Sequence, residues 1–222
     1  MIATATVLLF SAALVTAAPV QDAPATRPAP TPDTAREESM MTFDFKDPKG
    51  VNGFTVLLDS PLEPMVGTGT GITGTVTFDP SKPTEATGTL ALPTRSLQMT
   101  NSRMSVVLHG EDWLDAEKYP TLTLKVAGIE SARPVDENVH ELTAKVDVTI
   151  KDVTRTLTIP IRATLLPGRL DERVRGMTGD LLVLRSQFVI KRSDFNLKTD
   201  IGTDTVADEI QVTAAIVGVR PN

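Results

Sequence analysis

The sequence predicts an all-β domain: about eight antiparallel strands closed into a barrel, with one or two short helices around residues 101–117. Three observations carry this expectation. After residue 40, apolar and polar residues alternate with a period of two through most of the chain, as in strands with one apolar and one wet face. The runs are joined by short connections, and Lys151-Asp152 alone separates two of them, a two-residue hairpin loop that makes the pairing antiparallel. No long helical pattern intervenes, which argues against a parallel sheet with crossover helices. A sandwich and a closed barrel both satisfy such a pattern. The length of the runs at 141–150 and 154–165 favours the tilted strands of a barrel, whose interior can hold one small ligand.

The chain has 222 residues and no cysteine, so disulfides and thiolate chemistry are excluded. No charged residue occurs from Met1 to Gln21. The short apolar run from Val7 to Val15, followed by the small-x-small triplet Val15-Thr16-Ala17, reads as a signal peptide over residues 1–17. The run is too short for a comfortable membrane span. Export to a periplasm or the exterior is therefore expected. Residues 18–39 carry five prolines and many alanines, a semi-extended linker with no capacity for a core. The barrel domain then covers residues 40–222.

Within the domain, Phe54, Val56 and Leu58 recur at alternate positions, as do Val76 and Phe78. Leu122, Leu124 and Val126 repeat the pattern. Leu142, Val146 and Val148 lie on one face of the longest run, and Leu157, Ile159 and Ile161 on one face of the next. Phe188 and Ile190, then Ile210, Val212 and Ile216, complete the set. These residues are the candidate lining of an interior cavity. Between the early and late strands, Asn101 to Leu108 reads as a short helix with Asn101 or Ser102 as its N-cap. Asp112 to Glu117 reads as a second helical turn, ended before Tyr119-Pro120.

Several chemistries find no support. The net charge is -6, with both signs interspersed, and a chain without a basic stripe lacks the electrostatic footprint of nucleic-acid binding. Gly69-Thr70-Gly71-Ile72-Thr73-Gly74 matches a dinucleotide fingerprint in letters, but an alternating run follows where a helix is required. Its glycines are expected to bend a barrel strand. His109 and His140 have no metal-ligand spacing around them. His140 opens a strand and is expected to be solvated; His109 follows the helix and is expected to cap it. There is no nucleophile-elbow sequence, and the acidic pairs at turns are read as solvated. Arg192 lies just past an apolar strand. It either pairs with a structural partner or stands at the barrel mouth as a polar group for a ligand head. No enzyme activity, cofactor or metal is expected.

Five segments, taken in order, resemble the YceI-like (polyisoprenoid-binding) family. They are Thr77-Phe78-Asp79-Pro80; Ser96-Leu97-Gln98-Met99-Thr100 with Arg103 and the stretch Leu108 to Pro120; Val148 to Arg155; Ile190-Lys191-Arg192-Ser193-Asp194-Phe195; and Asp208-Glu209-Ile210. The resemblance implies a lipocalin-like barrel and export, commonly to a periplasm. It further implies an apolar lipid such as a polyisoprenoid as partner, with no chemistry. The chain is expected to be a monomer or homodimer. The family's early histidine is absent from Asp47-Pro48-Lys49-Gly50-Val51, a second is absent near Leu58-Asp59, and the acidic partner of Arg103 is replaced by Met104. The lost groups are polar and the aliphatic rows remain, so the tail of a lipid should be held more than its head. Two other functions stay open on the residues alone: a structural envelope module whose side chains fill the barrel, and a hydrolase or isomerase of a lipid-like substrate.

Overall fold

A computed structural model describes residues 40–47 and 49–222. The expected signal peptide and linker lie outside the described residues. Eleven strands form one sheet: β1 (Met41–Asp44), β2 (Gly53–Leu58), β3 (Met65–Thr70), β4 (Thr73–Phe78), β5 (Thr87–Pro93), β6 (Gln98–Met99), β7 (Thr121–Asp136), β8 (Val139–Ile150), β9 (Val153–Leu166), β10 (Gly179–Lys191) and β11 (Glu209–Pro221). Helix α1 (Ser102–Leu108) and the single turn α2 (Leu170–Arg173) interrupt them.

Pairing of short strands end to end makes eight walls from these eleven strands. β1 and β2 both lie along β11, through Asp44↔Val219 and Val56↔Val212. β4 pairs with β1 and β3 with β2. β5 and β6 follow on β4 and β3. β7 to β11 then pair in chain order. The wall made by β1 and β2 meets β11, so the ring of strands closes. Closure decides for the barrel over the sandwich. The glycine-rich segment is the break between β3 and β4, where Gly74 has φ 119. A Cβ at Gly74 would lie 2.1 Å from the Thr89 carbonyl oxygen, so only glycine allows that close approach.

The register fixes which side chains face inward. Leu142, Ala144, Val146, Val148 and Ile150 on β8 are all buried, and each odd neighbour between them is partly wet. Lys145, Thr158 and Arg162 face outward, where Lys145 reaches Thr158 (2.8 Å) and Glu141 bridges Arg133 and Arg162. An exterior carrying such charges is not the apolar band of a membrane barrel. The Ile150↔Val153 pair confirms the two-residue hairpin, with Lys151 taking the positive φ of 57 that the turn needs.

One end of the barrel is packed solid. Phe43, Phe45 and Phe78 are fully buried there with Leu182, Ala144 and Ala163. Large rings against small alanines let the layers interdigitate. Gly218 belongs to the same arrangement, since a Cβ there would sit 2.6 Å from the Phe45 ring. Below the rings, buried Asn52 ties the chain together: its amide donates to the Val217 carbonyl (2.8 Å), and its oxygen accepts from Val217 N (2.9 Å) and Arg173 (3.1 Å). Asp47 accepts backbone N–H groups of Lys49, Val51 and Asn52 and pairs with Arg173 at 3.0 Å. Burial disfavours its charge, but these donors outweigh that and hold the carboxyl below its usual range.

Two local expectations need correction. His140 is not solvated; it is 5% exposed, with its ring edge-on to Phe78 at 5.8 Å. It occupies an inward position of β8, opposite Ala163, so the register rather than the strand start decides its burial. Residues 112–117 form hydrogen-bonded turns and no helix. Asp115 has φ 45 and its N–H bonds the Gly110 carbonyl (2.8 Å), which stops helical propagation. α1 does form, and its N-cap is Asn101, whose side chain accepts from Arg103 N (2.9 Å).

β9 and β10 pair only over Ile161–Leu166 and residues 181–186. Beyond that, Pro160 has no N–H to give, and its carbonyl accepts instead from the Ser186 hydroxyl (2.6 Å). The two strands part there. The 3-10 turn Ser193–Phe195 packs against β9, with Phe195 fully buried.

Candidate ligand cavity

The other end of the barrel is hollow. A cavity of ≈ 610 Å³ lies inside it, within the range of ligand pockets. Seven walls contribute inward aliphatic residues: Val56 and Leu58 from β2, Met65 from β3, Leu90 and Leu92 from β5, Leu122 and Leu124 from β7, Val148 and Ile150 from β8, Ile190 from β10 and Ile210, Val212 and Ile216 from β11. β9 contributes none, because it has parted from β10. These strand side chains offer no hydrogen bonds, so whatever lies among them is held by burial of its apolar surface.

Two irregular segments cover the open end. One is α1, which turns Met104, Val107 and Leu108 to the cavity; their i, i+3, i+4 spacing is one helix face. His109 caps this helix and fastens it: its Nε2 lies 2.8 Å from the Leu97 carbonyl. A carbonyl only accepts, so Nε2 carries the hydrogen. Trp113 and Leu114 follow and also line the cavity.

The second cover is the loop from Leu197 to Ala207, which supplies Leu197, Ile201 and Val206. Arg192 holds it. Its guanidinium is 2% exposed and donates to the backbone carbonyls of Leu197 (2.8 Å), Lys198, Ile201 (3.3 Å), Val206 (3.4 Å) and Ala207 (3.5 Å). Asp208 lies beside it and accepts Ser193 N and Oγ, each at 2.8 Å. Burial pushes the Asp208 carboxyl up, but the Ser193 hydrogen bonds and the Arg192 charge carry it below its usual range. Arg192 is therefore not a polar group at the mouth. It stands behind the loop and shapes it, because a buried guanidinium must satisfy its donors.

The charged residues on the lining are Glu63, Arg103 and Lys198. Glu63 and Arg103 are exposed, so they mark the mouth, as does Val107 at 58% exposed. Lys198 bonds Asp112 (3.0 Å) and Asp200 (3.1 Å), and those bonds raise its pKa. Among the described residues no group of three His, Cys, Asp or Glu is placed to hold a metal.

A family model for the YceI-like domain matches residues 41–218, nearly the whole described chain. The chain belongs to the YceI-like family. It is 26% identical over 156 residues to Protein YceI of Escherichia coli O157:H7, covering 70% of this chain and 74% of that protein. Among solved structures it is similar to BcnA of Burkholderia cenocepacia, with a TM-score of 0.57 and 25% identity over 75% of this chain and 95% of that one. A polyisoprenoid binding domain from Saccharophagus degradans shares the fold at a TM-score of 0.56 and 9% identity, over 82% of this chain and 99% of that one.

Against this YceI-like frame, the sequence-derived lining divides by depth. Phe54, Val56, Leu58, Leu122, Leu124, Val148, Phe188, Ile190, Ile210, Val212 and Ile216 all line the cavity. Val76, Phe78, Val126, Leu142, Val146, Leu157, Ile159 and Ile161 do not. Leu157 lies on β9 where that strand has turned away, and the others pack in or next to the filled end. Alternation marks the inward face of a strand but not the height at which packing stops. The contributions of α1 and of the loop from Leu197 were missed. The helix carried a legible signal in the spacing of Met104, Val107 and Leu108; the loop has no period to read.

Proposed function

We propose that this chain is an exported, non-catalytic protein that shelters the apolar chain of a lipid, such as a polyisoprenoid, in the hollow half of its barrel. The observation that carries the reading is the ≈ 610 Å³ cavity with apolar walls and its charged residues confined to the mouth. Burial of an apolar chain there is worth about 25 cal/mol per Å² before ordering costs are subtracted. Family membership and the likeness to a polyisoprenoid binding domain support the same ligand class. The mouth is sparse in polar partners, so affinity comes from the tail. A binding role without catalysis is supported by a cavity wall that brings no nucleophile, base and orienting group together. The apolar run at residues 7–15 and the small residues after it support export.

Native mass spectrometry and organic extraction of protein purified without detergent test the reading. A retained apolar molecule in a defined ratio is the expected result. Protein that stays empty when offered lipid, with its interior rearranged to fill the cavity, would sink it. N-terminal sequencing of the secreted product tests export, with Ala18 expected as the first residue.

A further inference from the structure

We infer that the cavity is blind and measures its ligand: it shelters an apolar chain of about twenty carbons, inserted tail first, and the Val126–Val146 layer sets that limit. The inference rests on the lipid-binding reading and narrows it. An apolar protein cavity of about 150 Å³ takes one benzene, six carbons, and ≈ 610 Å³ is about four times as large, room for a chain of roughly twenty carbons. The floor is visible in the register. On β7 and β8 the row Leu124↔Val148 lines the cavity, and the next row, Val126↔Val146, does not. On the opposite wall Ile216 lines it, and the next inward residue of β11, Gly218, lies against the Phe45 ring instead. Beneath this layer Phe43 and Phe78 are 0% and 1% exposed, so a growing chain meets packed rings.

Polarity gives the direction of insertion. Glu63, Arg103 and Lys198 are the charged residues on the lining and they belong to the mouth. The floor is aliphatic and offers a polar group no partner, which makes burying one there costly. A ligand therefore has one polar end, left at the mouth, and one apolar chain. A chain longer than the cavity leaves its excess in water between α1 and the loop from Leu197, where it gains nothing further from burial.

Competition between prenyl alcohols of increasing length, from farnesol through geranylgeraniol and hexaprenol to solanesol, read by native mass spectrometry of the whole protein, tests this. Relative affinity is expected to rise at least about tenfold with the isoprene unit added up to geranylgeraniol, then to change less than about twofold for the longer alcohols. Affinity that keeps rising through solanesol would overturn the length limit while leaving lipid binding intact. Failure of every alcohol to bind would overturn the lipid reading itself. Two variants locate the floor. Val126→Ala with Val146→Ala is expected to raise the affinity for hexaprenol relative to geranylgeraniol, and Val148→Phe to lower that for geranylgeraniol relative to farnesol, each by at least about threefold. If either folded variant keeps the wild-type ratio, the floor is not at this layer.

Discussion

At the closed end of the barrel, Phe43, Phe45, Phe78, Ala144, Ala163 and Leu182 are fully buried in one core. At the open end, Leu122, Val148, Ile190 and Val212 stand around a void. The two ends share strands, register and alternation; β8 runs through both with one inward face. They differ in whether the inward side chains meet. Phe43, Phe45 and Phe78 are fully buried at one end, whereas at the other Phe54, Phe188 and Trp113 stand on the wall with the aliphatic residues around the void. Barrels of eight walls sit near the boundary between filled and hollow, and this one crosses it along its own axis. The closed end is thus the source of rigidity, and the open end the source of binding capacity.

The comparison breaks most visibly through leucine truncation in each half. Leu182→Ala, at a fully packed site, is expected to cost about 3–5 kcal/mol. Leu122→Ala is expected to cost less than about 2 kcal/mol, because one side of Leu122 already lacks contact atoms. Urea unfolding of both variants without ligand decides it; equal losses would mean that the two halves are packed alike.

Arg192→Met addresses the cover of the hollow half. Buried carbonyls from Leu197 to Ala207 lose their donor, at a cost of about 2–3 kcal/mol. Amide hydrogen exchange should accelerate in residues 197–207 while β8 and β9 stay protected. Uniform acceleration across the barrel would show that Arg192 supports the whole fold and not the loop.

Acid should act on both ends through carboxylates held in their charged form. Asp47 at the closed end and Asp208 beside the loop have pKa values below their ordinary ones. Each contributes stability that is fully present above the unfolded carboxylate pKa of about 3.9 and is lost as pH falls through the lower folded value. Unfolding monitored below about pH 4 is expected to show this loss, and Asp47→Asn should flatten the part due to the closed end. A profile unchanged in that variant would remove Asp47 from the account. The smallest effect is expected on the outer surface. Glu141→Gln, which breaks the exposed pairs with Arg133 and Arg162, should change stability by less than about 0.5 kcal/mol.

Much of this is legible in the sequence. The alternation in β8 and β9, the Lys151-Asp152 hairpin and the Asn101 cap all appear in the fold where periodicity and capping chemistry place them. So do the inward faces of the strands. The division into filled and hollow halves was not legible, because it depends on which rows lie at the same height around the ring. That height follows from strand stagger and from the end-to-end pairing of β1 with β2 and of β3 with β4. His140 was misjudged for the same reason: its neighbours across the sheet, not along the chain, bury it. Arg192 showed in the sequence as a charge beside an apolar strand. Its role depends on five carbonyls from a loop without pattern.

The most direct test of the two-halves account is a methyl NMR titration of the folded protein with geranylgeraniol. Methyl signals of Val148, Ile190, Ile210 and Val212 are expected to shift, and those of Leu142, Ala144 and Leu182 to stay in place. Shifts spread equally over both sets, or confined to residues on the outer face, would contradict the claim that one end of this barrel is built to hold a chain and the other to stop it.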